Sequence, residues 1–369
     1  MNSIERMRAT FELEPVEHLF RREFYFWPQT IDRWRAEGMP EDWKERNIFG
    51  YDPSPFVGQP VALGWVDAPF APAYEYQVLE DDGRNQIVRD TNGQIKRIVK
   101  DMPHGFMPTY LKNVVESRED WEGDVRHRLD PDTPERWTEF PRKMAEVAAK
   151  VEAGTHLLSC GAIAGYMYLR DLFGPEKLLY AFYDMPDLIH DCMRQWLHLM
   201  VTSLTRVQDA APMFRLFLAE DICYKTGPLI SPACFREFLA PYYTELVQTL
   251  RSRQDERLYF EVDTDGNPDA LIDDYIACGM DAMSPFEVAA DCDVVAVGQR
   301  HPRLVISGGI DKRILAAGPE PIDRELERII PAMVRRGGYV PTCDHGVPHD
   351  VSFANYCHYR ERMRELDGG

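Results

Sequence analysis

The sequence predicts an α/β protein, a (β/α)8 TIM barrel with an N-terminal extension that contains a small antiparallel β-meander. Three observations predict it. From about residue 150 onward, apolar runs of strand length alternate with segments of helical period. Nearly every such run closes on an ionisable residue, as barrel strands do at a catalytic face. A length of 369 residues suits one large barrel with an extension.

Before residue 150 the chain is rich in prolines, aromatics and turns. FYFWP, from Phe24, and VALGWV, from Val61, are read as two strands. YEYQVLEDDGRNQIVRDTNGQIKRIVK, residues 74–100, alternates apolar and polar positions around DDG and TNG, both strong hairpin signals. The domain reading is a single barrel over 1–369, with 45–130 as the extension and the hairpins at 74–100.

After residue 150 the elements follow in strict alternation. Strand HLLSCG leads to a helix from Pro186, then to strand FRLFLAED. One helix, SPACFREFLAPYYTELVQTLRSR, takes Ser231 as N-cap and Pro232 at its first position. Strand RLYFEVDTDG, helix PDALIDDYIACG ending at Gly279, strand DAMSPFE and helix DCDVVAVGQRH come next. LVISGGID, the helix through IDRELERIIPAMVRRG, strand GYVPTCDH and helix SFANYCHYRERMREL complete the series. Such alternation implies right-handed βαβ units and a parallel sheet. The six strands here and the two before them make eight. An open doubly wound sheet is the competing topology, but no strand runs into a GxGxxG or P-loop.

Composition narrows the function. With 61 acidic and 42 basic side chains the formal charge is -19, which argues against a non-specific nucleic-acid or anionic-membrane partner. No apolar run resembles a signal peptide or a membrane span. Eight cysteines are scattered without CxxC spacing, the pattern of reduced thiols in a cytoplasmic protein.

The strand ends carry the candidate chemistry: Glu220 and Asp221, Asp263 and Asp265, Glu287, Asp311, then Cys343, Asp344 and His345. In a barrel these ends share one rim. Asp263 and Asp265, two apart, face the same side, with Glu261 one layer deeper. Carboxylates that close share a proton, meet a cation or bind a metal, and Cys343 with a nearby imidazole would complete a tetrahedral zinc site. Bland roles compete. Asp265 with Gly266 and Asn267 reads equally as a helix-capping turn, Asp311 with Lys312 as a local ion pair, and His349 as a surface residue.

Several segments resemble a known family: AEDICYKTGPLISPACFREFLAPYY, FEVDTDGN, SGGIDKRILAAG, YVPTCDHGVPHDVSFANY and, near the N-terminus, FYFWPQTIDRWRAEGMP. They are similar to the uroporphyrinogen decarboxylase superfamily, and within it to decarboxylase-like proteins related to corrinoid-dependent methyltransferases. Decarboxylases of the family carry an arginine-rich motif that holds substrate carboxylates; this chain has FYFWPQT there and keeps the C-terminal HGV as His345-Gly346-Val347. The methyltransferases hold zinc through a His-x-Cys pair and a distant Cys. Cys343 matches the distant one, whereas Asp263-x-Asp265 replaces the pair with harder oxygen donors.

The resemblance implies an enzyme, a methyltransferase working between a small O-, N- or S-methyl compound and a corrinoid on a separate protein. Asp263, Asp265 and Cys343 would hold zinc, and Glu220, Asp221 or His345 would supply the leaving group's proton. Tyr224, Lys225, Glu287 and Asp311 would line the mouth, with Tyr25, Phe26 and Trp27 as its apolar wall. A homodimer is also implied. Two rivals are a decarboxylase or lyase of a small carboxylic acid, and a non-catalytic tetrapyrrole- or corrinoid-binding protein.

Overall fold

A computed structural model describes residues 1–100 and 108–368. Its strands are β1 (Phe56–Val57), β2 (Gln77–Asp81), β3 (Asn85–Arg89), β4 (Ile95–Val99), β5 (Thr109–Lys112), β6 (Leu157–Ile163) and β7 (Met213–Ala219). They continue with β8 (Cys223–Tyr224), β9 (Gly227–Pro228), β10 (Tyr259–Asp263), β11 (Ala282–Ser284), β12 (Val305–Ser307) and β13 (Tyr339–Val340). Seven of them form one parallel sheet in the order β1-β6-β7-β10-β11-β12-β13. The expected meander is present as the antiparallel sheet β2-β3-β4-β5. Residues 101–107 of the extension lie outside the described residues.

The parallel strands are buried on both faces, which is why they read as near-continuous apolar runs. Cys160, Leu216, Leu218, Phe260, Val262, Met283 and Ile306 pack into one cluster with the surrounding helices. Alternate positions face the other way. At the base Leu157, Tyr259, Ala282, Val305 and Val340 meet Met7 and Phe11 of the helix Ser3–Phe11, which plugs that end. One layer up, Arg215 is ion-paired to Glu261 across β7 and β10, and its Nε donates to Ser159 Oγ at 2.9 Å. Both charged groups are nearly shut off from water.

The eighth segment adds no long ladder. Phe26 makes a single parallel bridge to Val347, and on the other side the Asp52 N–H donates to the Arg21 carbonyl at 2.8 Å. VALGWV is not a strand; β1 takes its place. Gly64 sits at φ +79° and turns the chain, and the Gln59 side-chain amide bonds both backbone groups of Gly161, replacing a strand's own pairing. The helix expected from Ser231 is split into Pro232–Phe238 and Ala240–Arg251. Pro241 has no N–H to donate back to residue 237. Ser231 does cap the first of the pair, accepting from the Cys234 N–H at 3.1 Å. All eight cysteines are free thiols. Among the described residues no helix is long and apolar enough to cross a membrane.

The Arg215–Glu261 pair yields a direct prediction. Glu261→Gln leaves a buried guanidinium without its counter-charge and is expected to destabilise the fold by about 3–5 kcal/mol, read from urea denaturation.

Candidate functional site at the barrel mouth

Beyond the C-terminal ends of β7 and β10 lies a cavity of about 240 Å³. β10 delivers Asp263 to its floor, where Ser284 Oγ, at the end of β11, donates to Asp263 Oδ1 at 2.9 Å. Burial raises the Asp263 carboxyl to about 7; the Ser284 bond opposes this, Asp265 and Glu261 add to it, and His345 counters it.

Asp265 lines the same cavity, as its two-residue spacing from Asp263 predicts. It caps no helix: its Oδ2 stands 3.5 Å from His345 Nε2. The turn that carries it is pinned by Glu287, which accepts from the Gly266 N–H at 3.0 Å and from Lys312 Nζ at 2.8 Å.

His345 is held from the opposite side by Tyr25, whose Oη lies 3.2 Å from His345 Nδ1. Burial works against a charge on the imidazole, but the contact with Asp265 outweighs it and the pKa is raised. Gly346 has no space for a side chain, because a Cβ would strike the rings of Tyr25 and Trp27. That close approach keeps the tyrosine against the histidine.

Glu220, at the end of β7, is fully buried. Tyr275 Oη donates to it at 2.9 Å, Tyr243 Oη donates to the same oxygen, and the Tyr166 N–H donates to the other at 3.1 Å. Burial lifts this carboxyl to about 7 despite those bonds. Asp221 follows at φ +43° and is ion-paired to Arg170 on the helix Gly165–Phe173; burial raises it and Arg170 opposes. Trp65 completes the wall, stacked at 5.2 Å and parallel to Phe217. Glu220, Asp221, Asp263 and Asp265 put four carboxyl side chains into the lining, against the single imidazole of His345 among the described residues there.

The remaining candidates are placed elsewhere. Cys343 is fully buried, its N–H donates to Glu23 Oε1 at 2.8 Å, and burial pushes its thiol well above the ordinary range. Its sulfur faces Asp344, which itself accepts from the Val288 and Lys312 N–H groups at 2.9 and 3.1 Å. Cys343 does not line the cavity that holds Asp263 and Asp265. Among the described residues no group of three or more His, Cys, Asp and Glu side chains is placed to hold a metal ion. Cys343 lies outside the cavity lined by Asp263 and Asp265, so these three side chains do not fit the expected zinc, and no step is derived through a metal.

Asp311 caps the helix Lys312–Ala317 and binds Arg313, not Lys312. Trp27 precedes the helix Pro28–Ala36, outside the cavity lining. Tyr224, Lys225 and Glu287 line a neighbouring shelf of about 370 Å³ that shares Asp221 and Asp265 with the mouth. Arg170, Ser284 and Trp65 went unread in the sequence. Arg170 lies a turn inside a helix, Ser284 inside a run taken for a plain strand, and Trp65 inside VALGWV, where a strand reading hid a loop that folds over the mouth.

The raised Asp263 value carries a sign. A folded-state pKa near 7 against 3.8 for the free group means the native chain binds this proton more tightly, so its contribution to stability falls as pH rises through that window. Asp263→Asn keeps the Ser284 bond and removes the charge. Its melting temperature is expected to exceed that of the unsubstituted chain at pH 8 and to converge with it at pH 4.

Comparison with known proteins places the chain. The family model "Uroporphyrinogen decarboxylase (URO-D)" matches residues 101–366. A curated "Uroporphyrinogen decarboxylase" of Aromatoleum aromaticum (strain DSM 19018 / LMG 30748 / EbN1) is 29% identical over 196 residues, 51% of this chain and 52% of that protein. One of the same name from Hydrogenobaculum sp. (strain Y04AAS1) is 24% identical over 142 residues, 38% and 39% of the two chains. The chain thus spans about half the length of the first of these relatives and less of the second. A solved structure, "methyltransferase from Methanosarcina mazei", superposes with a TM-score of 0.62 over 99% of each chain at 14% identity, which shows a shared fold. With the family model spanning well over half of the residues, the chain belongs to the uroporphyrinogen decarboxylase family.

Proposed function

We propose that the chain is a methyltransferase that moves a methyl group between a small O-, N- or S-methyl compound and a corrinoid carried by a separate protein, at the mouth of a barrel closed by the Phe24–Trp27 segment. The observation that supports this reading is the cavity wall, four carboxyl side chains and aromatic rings with no guanidinium or ammonium group among the described lining residues. A porphyrinogen bearing several carboxylates would find no guanidinium or ammonium group on that wall to hold them. The volume of about 240 Å³ also lies below the roughly 300–1,000 Å³ typical of sites for drug-sized ligands. The fold shared with the Methanosarcina mazei methyltransferase along nearly its whole length agrees with this choice.

The corrinoid, on its own carrier, would exchange the methyl group with the bound compound. Tyr25, Trp65, Val66 and Tyr224, all exposed around the mouth and the shelf, make an apolar rim suited to a large flat ring. His345 is the proton donor to the departing heteroatom: it faces the cavity, Asp265 stabilises its charged form, and Tyr25 sets its ring. Glu220, locked by two tyrosine hydroxyls and an amide, holds the helix Gly165–Phe173 against β7 and acts as a positioning residue. Asp221 is occupied by Arg170. Free thiols at all eight cysteines suit an enzyme of the cytoplasm.

Decarboxylation of a small acid is the second reading, favoured by the names of the two curated relatives and by the retained His345. Incubating the purified chain with methylated compounds and a corrinoid protein separates the two. Methyl transfer is expected to change the corrinoid absorbance, and His345→Ala to lower kcat about 10²–10⁴-fold. Carbon dioxide released from a small acid, with no change at the corrinoid, overturns the methyltransferase reading.

A further inference from the structure

The charges around the mouth do not balance. Asp221 is neutralised by Arg170, and Glu220 is satisfied by neutral donors. Among the described residues Asp265 is paired, at 3.5 Å, with His345 alone, whose charged form it stabilises, and its side chain remains partly open to the cavity. Asp263 has a hydroxyl on one oxygen and, among the described residues, no basic group within ion-pair distance; the buried Arg22 guanidinium and His345 act on it from farther off. Two carboxyl groups therefore face a small cleft with part of their charge unmet, and low-dielectric walls concentrate that field on whatever enters.

The rest of the wall is aromatic. Trp65 gives one face to Phe217 and still leaves 46% of its surface exposed; Tyr25 is 41% exposed, with Phe24 packed 5.1 Å from it. A neutral methyl ether would gain nothing from the carboxylates, and an anion would be repelled. A primary ammonium would satisfy the carboxylates but lose its hydration against the rings. A cation whose charge is spread over methyl groups meets both, because ring faces attract it and it needs no hydrogen-bond acceptor.

We propose that the compound taken by this cavity is a small methylated ammonium cation, held between the Trp65 and Tyr25 rings and the carboxylates of Asp263 and Asp265. The fate of its methyl group rests on the methyltransferase reading, in which a quaternary ammonium would give up the methyl and leave as a neutral amine without needing the His345 proton; its binding does not rest on that reading.

Calorimetry on the full chain tests the binding with choline and tetramethylammonium as probes, and 3,3-dimethylbutan-1-ol as the uncharged copy of choline. Choline is expected to bind at least about tenfold more tightly than its neutral copy, the scale of a desolvated cation–aromatic contact supported by charge. Trp65→Leu, at a half-exposed position, and Asp265→Asn are each expected to weaken choline about threefold to tenfold and to leave the neutral compound unaffected, with folding checked by circular dichroism. Equal affinity for choline and its neutral copy, preference for acetate or benzoate, or no binding of either cation overturns the proposal. Methyl transfer from a neutral donor with no cation binding would sink this inference and spare the methyltransferase reading. Cation binding without transfer to any corrinoid protein would do the reverse.

Discussion

The site depends on the junction between the first thirty residues and the last thirty. Glu23 anchors it: one carboxyl oxygen accepts the Cys343 N–H at 2.8 Å, and the other accepts Tyr356 Oη at 2.7 Å. Around it the Val347 N–H donates to the Tyr25 carbonyl, Thr30 Oγ1 donates to the Val347 carbonyl, and Arg21 grips Asp367 with two nitrogens. Hydrogen bonds of this kind contribute about 0.5–1.5 kcal/mol each, and more between the charged Arg21 and Asp367, so this cluster offsets the short pairing of the Phe24–Trp27 segment. Tyr25 meets His345 because this junction holds.

Inside the sheet, polarity is layered. An apolar base sealed by the helix Ser3–Phe11 gives way to the Arg215–Glu261 pair, and above it stand Asp263, Asp265 and His345. Its own burial above that layer is the main reason the Asp263 carboxyl is raised to about 7, and the negative charges of Asp265 and then Glu261 add to it. Asp265, less enclosed, instead supports a charge on the imidazole. Two aspartates two residues apart thus do different electrostatic work, as position relative to the charged layer and to solvent dictates.

Much of the fold was legible. Strand-length runs closing on acids, Ser231 before Pro232, and the DDG and TNG turns each correspond to an element now seen. These signals are local, set by side-chain period and by capping or turn chemistry within a few residues. The readings that failed were those in which a distant partner decided the outcome. VALGWV has strand composition, yet Gln59 takes the backbone groups it would have paired with. Cys343 has the sequence neighbourhood of a ligand, yet its amide is drawn to Glu23, 320 residues away, and its thiol is buried beside Asp344.

What the sequence by itself determined was the order of strands and helices, the family kinship of its motifs, and the placing of Asp263, Asp265 and His345 at strand ends facing one mouth. Tertiary structure alone decided which of those groups keep unmet charge, because a carboxyl's state depends on what surrounds it in space. Arg170 neutralises Asp221 from another helix, two tyrosines satisfy Glu220, and among the described residues no basic group stands within ion-pair distance of Asp263, which His345 and the buried Arg22 act on only from farther off. Periodicity and capping act over a few residues and survive in the linear code. Coulomb interaction and desolvation act across contacts that only folding creates.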